Sequence, residues 1–380
     1  PAAPPTASWR AFALVALALL IGQGSLSLVG AALPLYLADL GAATARIGIE
    51  VGVSNVVAIG GTLLIGPVIN RFGAHRLLSG GMGCYLVASI GLLALPGEAL
   101  AVACRAVQGL GSALVMPSVL TMAPQIVPLK PGTALGVVGA LSNLTLAVYP
   151  PLGLWLYGRG GSDTLFLAAL LCGACRLLAG ILVPRPPRVA TPARGFGFDR
   201  RWLAGLGATG LFLAYFGGLL AYLPLALAHP GAPNAGLFFT ADAIGVMLLR
   251  VPSGILVDRF GPRVVQACGI AVTLVGIGVL ALTPSAATLL VSGILTGVGA
   301  GFFVAGMLVS LANRSGDHNR GTAMALSTAS LNIGLLAGSA LSGPLYGPGG
   351  LGAVLLLGTA TTLATLPLVV IDRERAAAAP

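Results

Sequence analysis

Gly66-Pro67-Val68-Ile69-Asn70-Arg71-Phe72-Gly73-Ala74-His75-Arg76-Leu77-Leu78 returns later in the chain as Gly254-Ile255-Leu256-Val257-Asp258-Arg259-Phe260-Gly261-Pro262-Arg263-Val264-Val265-Gln266, a displacement of 188 residues. Both copies hold a glycine, an apolar pair, Asn or Asp before Arg-Phe-Gly, and a basic turn. The register is not confined to this stretch. Gln108-Gly109-Leu110-Gly111 matches Thr296-Gly297-Val298-Gly299 at 188, and Gly132-Thr133-Ala134 matches Gly321-Thr322-Ala323 at 189. At 189, Asn143 also aligns with Asn332, and Leu156-Tyr157-Gly158 with Leu345-Tyr346-Gly347. The chain is a duplication of one architecture.

Composition fixes the medium. With 57% hydrophobic residues, 8% charged residues and a mean hydropathy of +0.98, 380 residues cannot assemble a water-soluble surface. The apolar stretches approach or exceed 20 residues, the length a helix needs to cross a hydrocarbon core of roughly 30 Å. A barrel would instead show short alternating strands. The 56 glycines and 26 prolines suit a membrane bundle, in which small residues let helices approach and neighbours satisfy the backbone.

Twelve spans are predicted, over residues 11–38, 47–70, 76–95, 99–122, 133–157, 164–183, 201–228, 236–257, 264–282, 287–312, 321–346 and 350–371. The fold class is therefore an all-α integral membrane protein. Its halves are residues 1–183 and 201–380, joined by a linker over 184–200 that holds Pro184, Pro186, Pro187, Pro192 and four arginines. Pro1 to Ser8 lacks the character of a signal peptide, so the first apolar run is expected to remain as a helix. With the N-terminus inside, fifteen Lys and Arg residues flank the spans on the cytoplasmic side, against Arg46 and Arg159 outside. By the positive-inside rule both termini and the linker are cytoplasmic, in the inner membrane of a bacterial-type cell.

The same distribution accounts for the net charge of +10. The basic residues sit in short loops, with no basic domain that would hold a nucleic acid. Cys84, Cys104, Cys172, Cys175 and Cys268 lie within spans, where Cys172 and Cys175 read as packing. His75, His229 and His318 form no ligand cluster, so neither a metal nor a cofactor is expected. No Gly-x-x-x-x-Gly-Lys-Ser/Thr phosphate loop is present, which excludes a primary pump driven by ATP, and no enzymatic activity is expected.

The two loop copies resemble the signature of the major facilitator superfamily, Gly-x-Leu-Ala-Asp-Arg-x-Gly-Arg-Arg/Lys, after the second and eighth helices. Arg105-x-x-Gln108-Gly109-x-Gly111 is similar to the family's second motif, frequent in proton-coupled members. The resemblance covers nearly the whole chain. It implies two pseudo-symmetric six-helix bundles around a central cavity and alternating access by rocking of the halves. It also implies a conformational latch formed by Gly66, Asn70, Arg71 and Gly73 in one loop and Gly254, Asp258, Arg259, Gly261 and Arg263 in the other. Asn70 replaces the family's acidic residue, so Asp258 is expected to dominate.

Ionisable groups inside spans are costly and mark function. Arg105, Asp39, Glu50 and Asp242 are the proton-coupling candidates. Arg105 either pairs structurally with Asp39 or Glu50, or modulates one of those carboxylates during transport. Arg250 and the amides and aromatics Gln23, Asn55, Asn143, Tyr149, Tyr215 and Asn332 are candidates for the substrate cavity, where a guanidinium fork would suit an anionic group. Tyr222 is a further amphipathic aromatic. Arg176, in a helix peripheral in the family, carries less weight.

In the first span Ser25, Ser27 and Ala32-Leu33-Pro34 partly match the drug-antiporter signature, with Ser25 where an Asp should stand. Tyr149-Pro150-Pro151-Leu152-Gly153 partly resembles the antiporter motif of the fifth helix. The expected function is proton-coupled export of a small organic molecule, a drug-like compound or metabolite that Arg250 would allow to be anionic. The expected partners are that substrate, protons and the lipid bilayer, with no nucleic acid, and the transporter is expected to be a monomer. Proton-coupled uptake of a sugar or organic acid, export of a metallophore or opine, and a transport-dead receptor or scaffold are the alternatives.

Topology is directly testable. In a cysteine-free background, Ala190→Cys is expected to react with an impermeant thiol reagent only from the cytoplasmic side, and Gly160→Cys only from outside. The reverse pattern would overturn the charge argument.

Overall fold

A computed structural model describes residues 9–94, 97–126, 131–182, 199–249, 252–282, 285–315 and 320–377. The linker over 184–200 lies outside these residues except at its last two positions. Apart from a short 3-10 turn at Arg200–Trp202, the described regular structure is α-helical. The helices are α1 (Trp9–Asp39), α2 (Thr44–Phe72), α3 (Ala74–Ala94), α4 (Glu98–Ile126), α5 (Pro131–Leu182), α6 (Leu203–Ala226), α7 (Gly236–Leu248), α8 (Pro252–Phe260), α9 (Pro262–Leu280), α10 (Ala286–Asn313) and α11 (Arg320–Ala377). Two are interrupted. α5 leaves helical conformation at Gly160 and Gly161, between the two spans predicted there, and α11 at Gly350, the first residue of the last predicted span. Gly161 and Gly350 have φ of 66° and 56° and stand 189 residues apart, the register of the repeat.

Six described helices are long and apolar enough to cross a membrane, and seven if α7 and α8, bent by 54° across their break, form one span. Large apolar side chains point outward, among them Leu356 at 72% exposure and Ile255 at 63%. Such a surface needs lipid around it. Trp155 is likewise half exposed, and the Arg159 guanidinium lies 4.8 Å from the centre of its ring.

The repeated loop motif is a repeated turn. Gly73 and Gly261, each separating one helix from the next, adopt φ of 84° and 81°, a region that side chains disfavour. Pro262 follows Gly261 at the start of α9, where its missing N–H costs nothing. Arg259 lies over the Phe260 ring at 5.2 Å.

The chain divides into two compact units. The first holds residues 1–36 and 53–193, and the second holds 37–52 and 194–380. Within the first, α3 packs on α4 and α5, with Tyr85 fully buried. Within the second, α6 lies along α11, and α10 against α7 and α9, around the stacked rings of Phe212 and Phe303. Residues 37–52 belong here because Tyr222 on α6 accepts a hydrogen bond from Gly48 N at 2.9 Å and donates to the Thr44 carbonyl at 2.8 Å.

Close approach is carried by glycines at repeat-equivalent places. A Cβ on Gly109 would run into the Ser54 carbonyl oxygen, and one on Gly297 into the Asp242 carbonyl oxygen, both far inside van der Waals contact. Helices without a hydrophobic drive to associate depend on such fits. Gly297→Ala is therefore expected to destabilise the detergent-purified protein by about 1–3 kcal/mol, the cost of overpacking. Gly278→Ala, where nothing lies within 4 Å of the new methyl, is expected to be neutral or stabilising by up to about 1 kcal/mol. Thermal-unfolding midpoints of the two variants check this, and equal midpoints would refute it.

Candidate functional site

In the first unit the buried polar centre is Arg105 on α4. Burying a guanidinium requires partners for its donors. Nη2 donates to Ser54 Oγ on α2 at 2.9 Å, and Nη1 donates to Gln108 Oε1, one turn further along α4, at 2.8 Å. Arg105 is 5% exposed and Gln108 fully buried. Gly30 on α1 faces the fork: a Cβ there would stand 3.7 Å from Nη2, in ordinary van der Waals contact. Among the described residues, the buried donors Arg105 Nε and Gln108 Nε2 meet no acceptor. Ser25 Oγ on α1 and Ser89 Oγ on α3 are 3.1 Å apart.

In the second unit the buried polar centre is Asp242 on α7. Its Oδ1 accepts from Thr296 Oγ1 on α10 at 2.8 Å. Thr296 Oγ1 is also 3.0 Å from the Gly293 carbonyl. The buried Tyr215 hydroxyl, from α6, joins the cluster through Thr296 and lies in the field of the carboxylate. Among the described residues no basic side chain comes within ion-pair distance of Asp242.

The repeat register ties these centres together. Displaced by 188 residues, Ser54 becomes Asp242, Gln108 becomes Thr296 and Arg105 becomes Gly293. The glycine contacts agree, because Gly109 meets Ser54 just as Gly297 meets Asp242. One crossing of helices is thus built twice, with a cation among neutral acceptors in one copy and an anion beside a neutral hydroxyl in the other.

The remaining candidates are placed as follows. Asp39, at the end of α1, is exposed, and Glu50 on α2 is buried and paired with Arg46 at 3.4 Å. Tyr149 is half buried, its ring filling the space where a side chain on Gly24 would go. Asn55 is half buried on α2, and Asn332 donates Nδ2 to the Thr328 carbonyl of its own helix at 3.1 Å. Arg250 lies outside the described residues, as do the side chains of Gln23, Asn143, Arg176, Asn70 and Arg71. The backbones of Gly66, Asn70 and Arg71 lie in α2. Asp258 and Arg259 are exposed on α8, which also carries Gly254, and Arg263 is half buried at the start of α9. Among the described residues no three His, Cys, Asp or Glu side chains gather as a metal site.

Ser54 and Thr296 were absent from the sequence-derived candidates. Both are neutral hydroxyls, and only the repeat register applied to Arg105 and Asp242 together singles them out.

Comparison with known proteins is consistent across the chain. An uncharacterised MFS-type transporter of Mycobacterium tuberculosis is 34% identical over 158 residues, covering 41% of this chain and 26% of that protein. The multidrug resistance protein B homolog of the same species is 25% identical over 345 residues, covering 72% of this chain and 63% of the relative. The chain thus spans about a quarter and under two thirds of these relatives' lengths. The crystal structure of the nucleoside transporter NupG, as its D323A mutant, superposes with a TM-score of 0.77, covering 96% of this chain and 99% of that one at 15% identity, a likeness of fold. The family model of the Major Facilitator Superfamily matches residues 15–233 and 204–380. Buried charges in apolar helices, a doubled loop motif and these matches place the chain in the Major Facilitator Superfamily, as a multi-pass membrane protein.

Proposed function

We propose that the protein is a proton-driven exporter of small organic molecules of the drug or metabolite class, working by alternating access. The observation that carries this is the pair of buried charged centres, Arg105 among Ser54 and Gln108, and Asp242 beside Thr296. Ionisable groups held inside apolar helices are expensive unless used. A scaffold needs neither of them. Export is supported by the relative named for multidrug resistance and by the partial antiporter motif at Pro150 and Gly153.

Everted membrane vesicles with an acidic lumen are expected to accumulate ethidium, and a protonophore to abolish the accumulation. Uptake into the lumen only when the gradient is reversed would favour import and overturn the proposal. Arg105→Lys keeps the charge and loses the fork. Replacing a charge-assisted hydrogen bond worth about 1.5–3 kcal/mol should lower gradient-driven accumulation by about tenfold to a hundredfold, with ethidium binding to the purified protein retained.

The loops act in this scheme as a state-dependent latch, and the intact acidic copy is Asp258. Asp258→Asn is expected to slow transport more than Asn70→Asp does. Wild-type rates for both at matched expression would remove the latch from the mechanism.

A further inference from the structure

Of the ten acidic residues in the chain, the described structure buries the side chains of two inside helices, Glu50 and Asp242. Glu50 pairs with Arg46. Among the described residues, no charged side chain pairs with Asp242. α7 carries no other charged residue, and α6 and α10 carry no Asp, Glu, Lys, Arg or His at all. From these elements the titratable group facing Asp242 is Tyr215. Arg250, two turns further along, lies outside the described residues.

Thr296 makes this site more than a buried carboxylate. A hydroxyl has one hydrogen to donate and lone pairs to accept with. Thr296 Oγ1 stands 2.8 Å from Asp242 Oδ1 and 3.0 Å from the Gly293 carbonyl. When Asp242 is a carboxylate, Thr296 can give it the hydrogen. When Asp242 is a carboxylic acid, Thr296 can turn that hydrogen to the Gly293 carbonyl and accept from the acid. Asp242 and Thr296 thus keep a hydrogen bond to each other in both states, so neither loses this buried partner, a loss that would cost about 1–3 kcal/mol. Gly293 holds the place that Arg105 holds in the first unit. An arginine there would compete for the carboxylate and fix its charge, and the glycine leaves only a carbonyl.

We propose that Asp242 carries the coupled proton, with Thr296 as a two-way hydrogen-bond switch, in a site that is the charge-reversed repeat counterpart of the Arg105 cluster. This rests on the proton-coupled function proposed above. The O–H bond formed on Asp242 when a proton arrives from water on one side breaks when the proton leaves to water on the other, and nothing is oxidised or reduced. Thr296 is a positioning residue, and the neighbouring glycines keep the crossing tight enough for one hydroxyl to reach both acceptors.

The test separates the site from the transport activity. Infrared difference spectra of the purified protein in lipid nanodiscs, recorded across a pH series, should show the carbonyl band of a buried carboxylic acid that Asp242→Asn removes. Thr296→Val should keep the band but shift its frequency and its pH midpoint, and Thr296→Ser should restore both. In everted vesicles Asp242→Asn should lose gradient-driven ethidium accumulation by at least about tenfold. A pH-dependent carbonyl band unchanged by Asp242→Asn, or an unimpaired gradient-driven rate in that variant, would overturn the proposal. A band that responds to sodium at fixed pH would overturn it in favour of a metal cation. Should wild-type vesicles move no ethidium while the band still vanishes in Asp242→Asn, the exporter assignment fails and the proton site stands.

Discussion

Contact between helix backbones, with glycine on one side and a carbonyl on the other, is the constraint on which the rest of this structure depends. Inside a bilayer the lipid competes with protein for apolar contact, so helices stay together by fit and by polar bonds across the seam. Gly109 against Ser54 and Gly297 against Asp242 supply the fit. They also decide the chemistry, because only a close crossing lets Arg105 on α4 reach Ser54 on α2, or Thr296 on α10 reach Asp242 on α7. Side chains at those glycines would separate the helices and leave both charges without partners.

In the mechanism proposed above, the duplicated crossing serves two uses. In the first unit the charge is permanent, since a guanidinium does not give up its proton in a protein, and it is held by neutral acceptors. In the second unit the charged group can take up and release a proton, and the residue that would have pinned it is a glycine. The two copies keep the same packing frame, Gly109 on Ser54 and Gly297 on Asp242, and differ in the polar groups it holds.

Much of this was legible before any coordinates. The periodic loop motif located Gly73 and Gly261, and both take up the left-handed backbone that makes the turn. The lengths of the apolar runs located the helices, down to the interruptions near Gly160 and Gly350. The buried charges announced themselves as well, because an Arg or Asp within an apolar run is conspicuous. Their partners did not. Arg105 was expected to meet Asp39 or Glu50 or to act on them, and its hydrogen bonds go to Ser54 and Gln108. The reason is physical: a helix in lipid is apolar on every side, so its sequence lacks the one-sided pattern from which an inward face is read in a soluble protein. Without that phase, a serine or threonine at a crossing looks like any other small polar residue. The association of residues 37–52 with the second unit was hidden for a similar reason, since it rests on the Tyr222 hydroxyl and on glycine contacts with α11 such as Gly48 against Ser339 and Gly343 against Ala45.

The pairing of Arg159 with Trp155 concerns the surrounding lipid. An exposed indole beneath a guanidinium is amphipathic, with a flat apolar body for the acyl chains and a charge for the phosphates, and such groups settle at the headgroup level. Sliding this end of α5 deeper would drag the charge into hydrocarbon, and lifting it out would strip the ring of lipid. The depth of α5 is therefore pinned at this point, close to the interruption at Gly160 and Gly161. A thicker or thinner bilayer must then be accommodated by tilting of the helices or by local deformation of the lipid around them. The annulus of lipid next to α5 becomes part of the mechanical frame in which the transporter moves.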